Sequence, residues 1–134
     1  PDAELYTMSE NLAVTRHVVN AVDVPVIADI DTGYGNAINV MRTVREFEAA
    51  GVTAVILEDQ VAPKRCPICV AGVEVIPLDE GIAKIEAAAA ARQDPNMLII
   101  ARTDVVDHAE AIERGEPPER REGGDDRYRD DFRR

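Results

Sequence analysis

Residues Val24–Asn36 read VPVIADIDTGYGN. An apolar run leads into two aspartates, Asp29 and Asp31, and the chain then turns at Gly33 and Gly35. Strand side chains alternate faces, so carboxylates two positions apart on a strand point the same way. A buried carboxylate is costly unless it is paired or bound to a cation. Either this strand end faces water, or something positive sits beside it.

The elements on either side set the fold class. Thr7 and Glu10 spell T-x-x-E, a capping box that opens a helix. Leu12, Thr15, Val18, Val19 and Val22 follow at helical spacing, and Pro25 ends the helix. Asn36 suits the N-cap of a second helix with core positions Val40, Met41, Val44 and Phe47, closed by Gly51. The short β-branched run Val52–Asp59 predicts a strand, and Gln60–Leu78 a long loop. Asp79 is the expected cap of an alanine-rich helix to about Arg92, and Met97–Asp104 predicts a third strand.

Strands alternating with helices imply right-handed βαβ units and a parallel sheet. Such strands are expected to be buried on both faces, which accounts for their almost continuous apolar character. Each ends in charge: Asp29 and Asp31, then Glu58 and Asp59, then Arg102 and Asp104. Parallel α/β proteins place their chemistry at that end. Glu58 lies one αβ unit beyond Asp31, so the three carboxylates should meet at one rim, and a hard divalent cation such as Mg²⁺ would relieve their repulsion. The bland alternative is that these acids cap helices or face solvent. Arg102 could hold a substrate carboxylate in a two-pronged grip, or form a structural pair with Asp104 or Glu58.

Composition excludes several classes. The chain has 134 residues with 46% hydrophobic, enough for a packed core. Aromatics are 4%, Trp is absent and the net charge is −11, all unfavourable for a nucleic-acid partner. No apolar run approaches the ~20 residues of a membrane span, and no basic-then-apolar leader precedes the first helix. Two close cysteines make no disulfide framework, so the expected compartment is the cytoplasm. From Glu113 to Arg134 there are 8 acidic and 7 basic residues, so nearly all the negative charge lies in the body. This end, GEPPERREGGDDRYRDDFRR, has almost no apolar side chains and predicts a disordered or loosely helical tail.

Cys66 follows Lys64 and Arg65, two cations that favour the thiolate. With Cys69 it also spells C-x-x-C, which reads as a redox pair or half of a zinc site. The following VAGVEV does not look helical, as a redox pair would require. His17 and His108, the only histidines, belong to other segments. Gly33 and Gly35 form no dinucleotide fingerprint, because Asn36, Ala37 and Ile38 follow them.

Four stretches in register, PD at Pro1–Asp2, VPVIADIDTGYGN, EFEAAGVTAVILEDQVAPKRC and IIARTD, resemble the isocitrate lyase and phosphoenolpyruvate mutase superfamily. The resemblance covers roughly residues 1–114. It implies a (β/α)8 barrel with Mg²⁺ at its C-terminal rim, Mn²⁺ being the alternative ion. It implies a small carboxylate substrate, cleaved or rearranged next to the carbonyl carbon of a 2-oxo acid, and a homo-oligomeric full-length protein. Residue by residue, Asp29 matches the direct metal ligand. Asp2, Asp31 and Glu58 match the acids that hold metal-bound waters. Arg102 matches the arginine on the substrate carboxylate, with Lys64 and Arg65 as further substrate contacts. Cys66 matches the acid/base cysteine of the lyase branch, which favours a lyase, most similar to methylisocitrate lyase. A mutase, a phosphonate hydrolase or an oxaloacetate-acting enzyme is the alternative inside the superfamily. Outside it stand a catalytically silent piece and a thiol redox or metal protein using Cys66 and Cys69.

The chain departs from that pattern in three places. After Cys66 the family's Gly-His is replaced by Pro67, Ile68 and Cys69, and the lysine expected after Gly72 is Val73. The barrel needs about 250 residues, so residues 1–114 would be a partial barrel of about strands two to five, without the first strand and the last three. The chain begins at Pro1 as if cut from something longer, and residues 115–134 read as a charged tail, disordered or out of frame. Part of a barrel should leave open sheet edges and one exposed core face.

Overall fold

The computed structural model describes residues 3–66 and 73–115. Asp2, Cys69 and the tail beyond Gly115 lie outside the described residues. The chain divides into two compact units, Pro1–Asp104 and Val105–Arg134.

The first unit alternates helices and strands: α1 (Met8–Ala21), β1 (Ile27–Asp29), α2 (Ala37–Ala49), β2 (Ala54–Glu58), α3 (Leu78–Ala91) and β3 (Leu98–Arg102). The strands form one parallel sheet in the order β1-β2-β3, so each αβ unit adds its strand beside the last. The helices follow suit, α1 packing on α2 and α2 on α3. In the second unit, α4 (His108–Gly115) starts where the Asp107 carboxylate accepts the Glu110 N–H, and Arg114 pairs with Glu110 at 2.7 Å.

Local chemistry explains the element ends. The Thr7–Glu10 capping box is formed in both directions, and Asn36 accepts the N–H groups of Ile38 and Asn39. Gly51, with φ of +91°, follows the last turn of α2, as a C′ glycine should. The α3 start differs from expectation. Pro77 occupies the N-cap and makes no side-chain cap bond, while Asp79 and Glu80 sit inside the first turn. Their charges favour the positive end of the helix, and Asp79 accepts the Glu80 N–H at 3.0 Å from inside the first turn without being the N-cap residue.

Alternation and register divide the sheet into two faces. Ala28, Val55, Leu57 and Ile99 pack with Val40, Val44, Phe47, Ala88 and Met97 in the core between sheet and helices. The opposite face carries Ile27, Asp29, Ile56, Glu58, Leu98, Ile100 and Arg102. Burial on both faces holds for β2 alone. Ile27 and Leu98 are 56% and 57% exposed, because among the described residues nothing covers this face at the two outer strands. The α1 core is likewise narrower than its periodicity suggests: Leu12 and Thr15 are buried, whereas Val18 and Val22 are exposed.

Candidate active site

The charged face ends in a rim of acids. Asp29 is the last residue of β1 and is exposed. Asp31 lies beyond the strand in a left-handed turn with φ of +50°, so strand alternation does not place it. Two hydrogen bonds do: its N–H donates to Asp29 Oδ1 at 2.8 Å, and its carbonyl accepts the Glu58 N–H at 3.0 Å. Asp29, Asp31 and Glu58 therefore share the end of the β1–β2 pair, as the sequence predicts.

Gly33 permits the turn. Its φ is +86°, and a Cβ there would fall 2.5 Å from Val40 Cγ2 and 3.0 Å from Leu57 Cδ1. Below the turn, Lys84 of α3 is buried and donates from Nζ to the Thr32 carbonyl at 3.1 Å. Burial pulls its ammonium below the usual lysine range, against the pull of Glu80 and Glu4. The Thr32 hydroxyl donates to Glu4 at 2.7 Å. On the other side, Asn11 of α1 donates to the Asp29 carbonyl (2.8 Å) and to the Tyr34 hydroxyl (2.7 Å), which donates to Asp31 Oδ2 (3.2 Å). Burial raises the Tyr34 phenol, so it remains a donor.

Glu58 is the most buried acid of the rim, 2% exposed. Neither carboxylate oxygen takes part in a hydrogen bond among the described residues. Lys64 Nζ at 3.6 Å and Arg102 Nη1 at 3.3 Å are charge neighbours only. Burial pushes the Glu58 carboxyl up to about 7, against the pull of Lys64 and Arg102 and with repulsion from Asp104 and Asp29.

Lys64 reaches back from the loop after β2. Its Nζ lies 2.6 Å from Asp31 Oδ1, and the residue is 4% exposed. Arg102 grips Asp104 with two prongs, Nε to Oδ1 at 2.8 Å and Nη2 to Oδ2 at 2.9 Å. That carboxylate, with burial opposing, holds the guanidinium even more firmly protonated than usual. Asp104 also accepts from Gln60 Nε2 at 2.6 Å, and Gln60 Oε1 accepts the Arg65 N–H at 2.9 Å. Asp59 accepts the Asp104 N–H and the Thr103 hydroxyl, joining the ends of β2 and β3. Arg65 is exposed and Cys66 half-buried on the same loop.

The structure thus gathers Asp29, Asp31, Glu58, Lys64 and Arg102. Asp2 and Cys69 fall outside the described residues. Sequence reasoning missed Asn11, Tyr34, Gln60 and Lys84, whose contacts span 18 to 52 residues of chain. The one available signal was a polar or charged side chain among apolar neighbours, too weak to name a partner.

Among the described residues no three His, Cys, Asp or Glu side chains close into a ready metal cage. A hard ion that keeps its waters does not need one, since one or two direct carboxylates suffice. The donors are all oxygens, and Glu58 presents two buried ones without hydrogen bonds. The residues fit such an ion. A groove of about 510 Å³, lined by Leu5, Tyr6, Val14 and Ile27, reaches Asp29, Asp31 and Lys64.

The comparisons with known proteins identify the family. Residues 1–117 match the family model for phosphoenolpyruvate phosphomutase. The chain is 52% identical over 120 residues to a 2,3-dimethylmalate lyase of Eubacterium barkeri, covering 86% of itself and 40% of that protein. It superposes on the crystal structure of a phosphoenolpyruvate phosphomutase from Streptomyces platensis subsp. rosaceus with a TM-score of 0.83 at 45% identity, spanning 86% of itself and 42% of that chain. A phosphonopyruvate hydrolase solved with oxalate and Mg²⁺ matches at a TM-score of 0.76 and 40% identity, over 86% of this chain and 40% of the other. The chain thus spans about two fifths of the length of these relatives. With four motifs in register, a parallel βα sheet and an acidic rim at its strand ends, it belongs to the phosphoenolpyruvate mutase family of the isocitrate lyase/phosphoenolpyruvate mutase superfamily.

Proposed function

We propose that this chain is the rim-bearing part of a magnesium-dependent carbon–carbon lyase built on a (β/α)8 barrel. Its substrate class is a 2-hydroxy di- or tricarboxylate such as methylisocitrate. The observation that carries the reading is the meeting of Asp29, Asp31 and Glu58 at one strand-end rim, with the Glu58 oxygens buried and, among the described residues, without a hydrogen bond. The sheet face that carries Asp29 and Glu58, opposite the helices, corresponds to the interior of such a barrel.

Bound Mg²⁺ would supply Lewis-acid stabilisation of the negative charge that develops on the substrate oxygens. Asp29, exposed at the strand end, would hold the ion directly, and Asp31, Glu58 and Asp2 would hold its waters. Arg102, preset by Asp104, receives a substrate carboxylate. The substrate hydroxyl passes its proton to water, which afterwards restores the Cys66 thiol, and the hydroxyl-bearing carbon becomes the carbonyl of the product. The adjacent carbon–carbon bond breaks, and its electron pair leaves as an enolate. The Cys66 thiol protonates the enolate carbon, and the flanking Lys64 and Arg65 favour the thiolate that remains.

A mutase or hydrolase reading is favoured by a different observation, the high structural similarity to a phosphomutase. Assaying 2-oxo acid release from methylisocitrate and 2,3-dimethylmalate separates the readings. A lyase releases the 2-oxo acid, loses turnover on Cys66→Ser and keeps it on Cys69→Ser. Interconversion of phosphoenolpyruvate and phosphonopyruvate without lyase turnover supports the mutase. Thiol–disulfide cycling that needs both cysteines contradicts both.

A further inference from the structure

Lys64 places an ammonium inside the acid cluster. Its Nζ is 2.6 Å from Asp31 and 3.6 Å from Glu58, and its side chain is 3% exposed. A buried ammonium requires an anionic partner, and buried carboxylates require a cation. The 2.6 Å pair with Asp31 answers the first requirement, and the same ammonium stands 3.6 Å from the buried Glu58. Lys64 is anchored on the loop that carries Arg65 and Cys66, whereas both acids belong to the strand-end rim, so the contact ties loop to rim.

A divalent ion held by the same acids would stand within a few ångströms of that ammonium. Two cations at that separation repel each other strongly in a partly dry site. Resting on the proposed metal site, we infer that Lys64 is the rim's resident counter-ion, which a divalent cation must displace to bind. The exchange substitutes one cation for another, with no covalent step. It has two consequences. Lys64 weakens metal affinity, because metal entry breaks the Asp31–Lys64 pair. Metal entry also breaks the tie that this pair makes between the rim and the loop segment bearing Cys66. The metal state of the rim is thereby coupled to the position of the proposed proton donor.

Magnesium alone is the probe. Calorimetry on the 134-residue chain is expected to show Mg²⁺ binding about tenfold tighter in Lys64→Met than in the wild type. Lysine acetylation read by mass spectrometry gives a second measurement on the unaltered chain. Lys64 is expected to be protected in EDTA and several-fold more reactive at saturating Mg²⁺, with the increase absent in Asp29→Ala. Equal or weaker binding by a folded Lys64→Met overturns the inference while leaving the metal site standing. So does continued protection of Lys64 at saturating Mg²⁺, which also decides the matter should the methionine variant not fold. If the wild type binds no Mg²⁺, the metal reading fails and this inference falls with it.

Discussion

Arg102 holds Asp104 two residues along the chain by a two-pronged ion pair, Nε to Oδ1 at 2.8 Å and Nη2 to Oδ2 at 2.9 Å. The pair fixes the guanidinium in one orientation, with Nη1 turned toward Glu58 at 3.3 Å. Structural pairing and a substrate role are therefore compatible, because Asp104 presets the arginine that the proposed mechanism uses.

That relationship predicts a separable effect for Asp104→Ala. Arg102 is 37% exposed, so the pair contributes only about 1 kcal/mol to stability, and urea denaturation should show a loss of that order. Binding should suffer more. KM for the carboxylate substrate is expected to rise about tenfold with Mg²⁺ affinity unchanged. A change in metal affinity alone would contradict the assignment.

Glu58 predicts a pH dependence in metal-free buffer. Burial raises its carboxyl in the folded chain to about 7, against an ordinary value of 4.5. Between those pH values the folded state holds the proton and the unfolded state does not, so stability falls as pH rises from about 4.5 to 7. The penalty is fully present above 7, on the order of 3 kcal/mol. Glu58→Gln should flatten that part of a stability–pH curve obtained from urea melts in EDTA. Saturating Mg²⁺ should flatten it in the wild type, because a cation favours the ionised carboxylate. A wild-type slope of opposite sign would contradict the burial argument.

Gly33→Ala tests the turn that presents Asp31. The left-handed backbone and the 2.5 Å approach to Val40 Cγ2 act together. Denaturant unfolding should show a loss of about 2–4 kcal/mol. The same change at Gly115, which has nothing within 4 Å of a built Cβ, should cost little by comparison.

Tyr34→Phe removes the hydroxyl between Asn11 and Asp31. It should cost about 1 kcal/mol in stability and weaken Mg²⁺ binding severalfold, because Asp31 Oδ2 loses its donor. Urea melts and calorimetry read the two effects separately.

The elements were legible because their signals are local. Thr7 with Glu10, Asn36 and Gly51 each work within a few residues of themselves, and the structure keeps all three. Asp79 shows the limit of that reasoning: an acidic residue near a helix start can favour the dipole without capping, and Pro77 fills the cap. The strand-end acids were legible because a parallel sheet aligns its carboxyl ends. The left-handed Asp31, the Lys64 ammonium between the acids and the Lys84 strut were not, since each depends on contacts that only the folded chain creates. The exposure of Leu98 and Ile100 was masked for the same reason: the letters of an open strand and a covered one are alike.

The central claim is that these strand-end acids hold a divalent ion, and titration calorimetry with Mg²⁺ tests it most directly. The account predicts saturable one-site binding to the wild-type chain, lost in Asp29→Ala and weakened in Glu58→Gln. Absence of binding to the folded wild type, or binding that Asp29→Ala leaves intact, would contradict it.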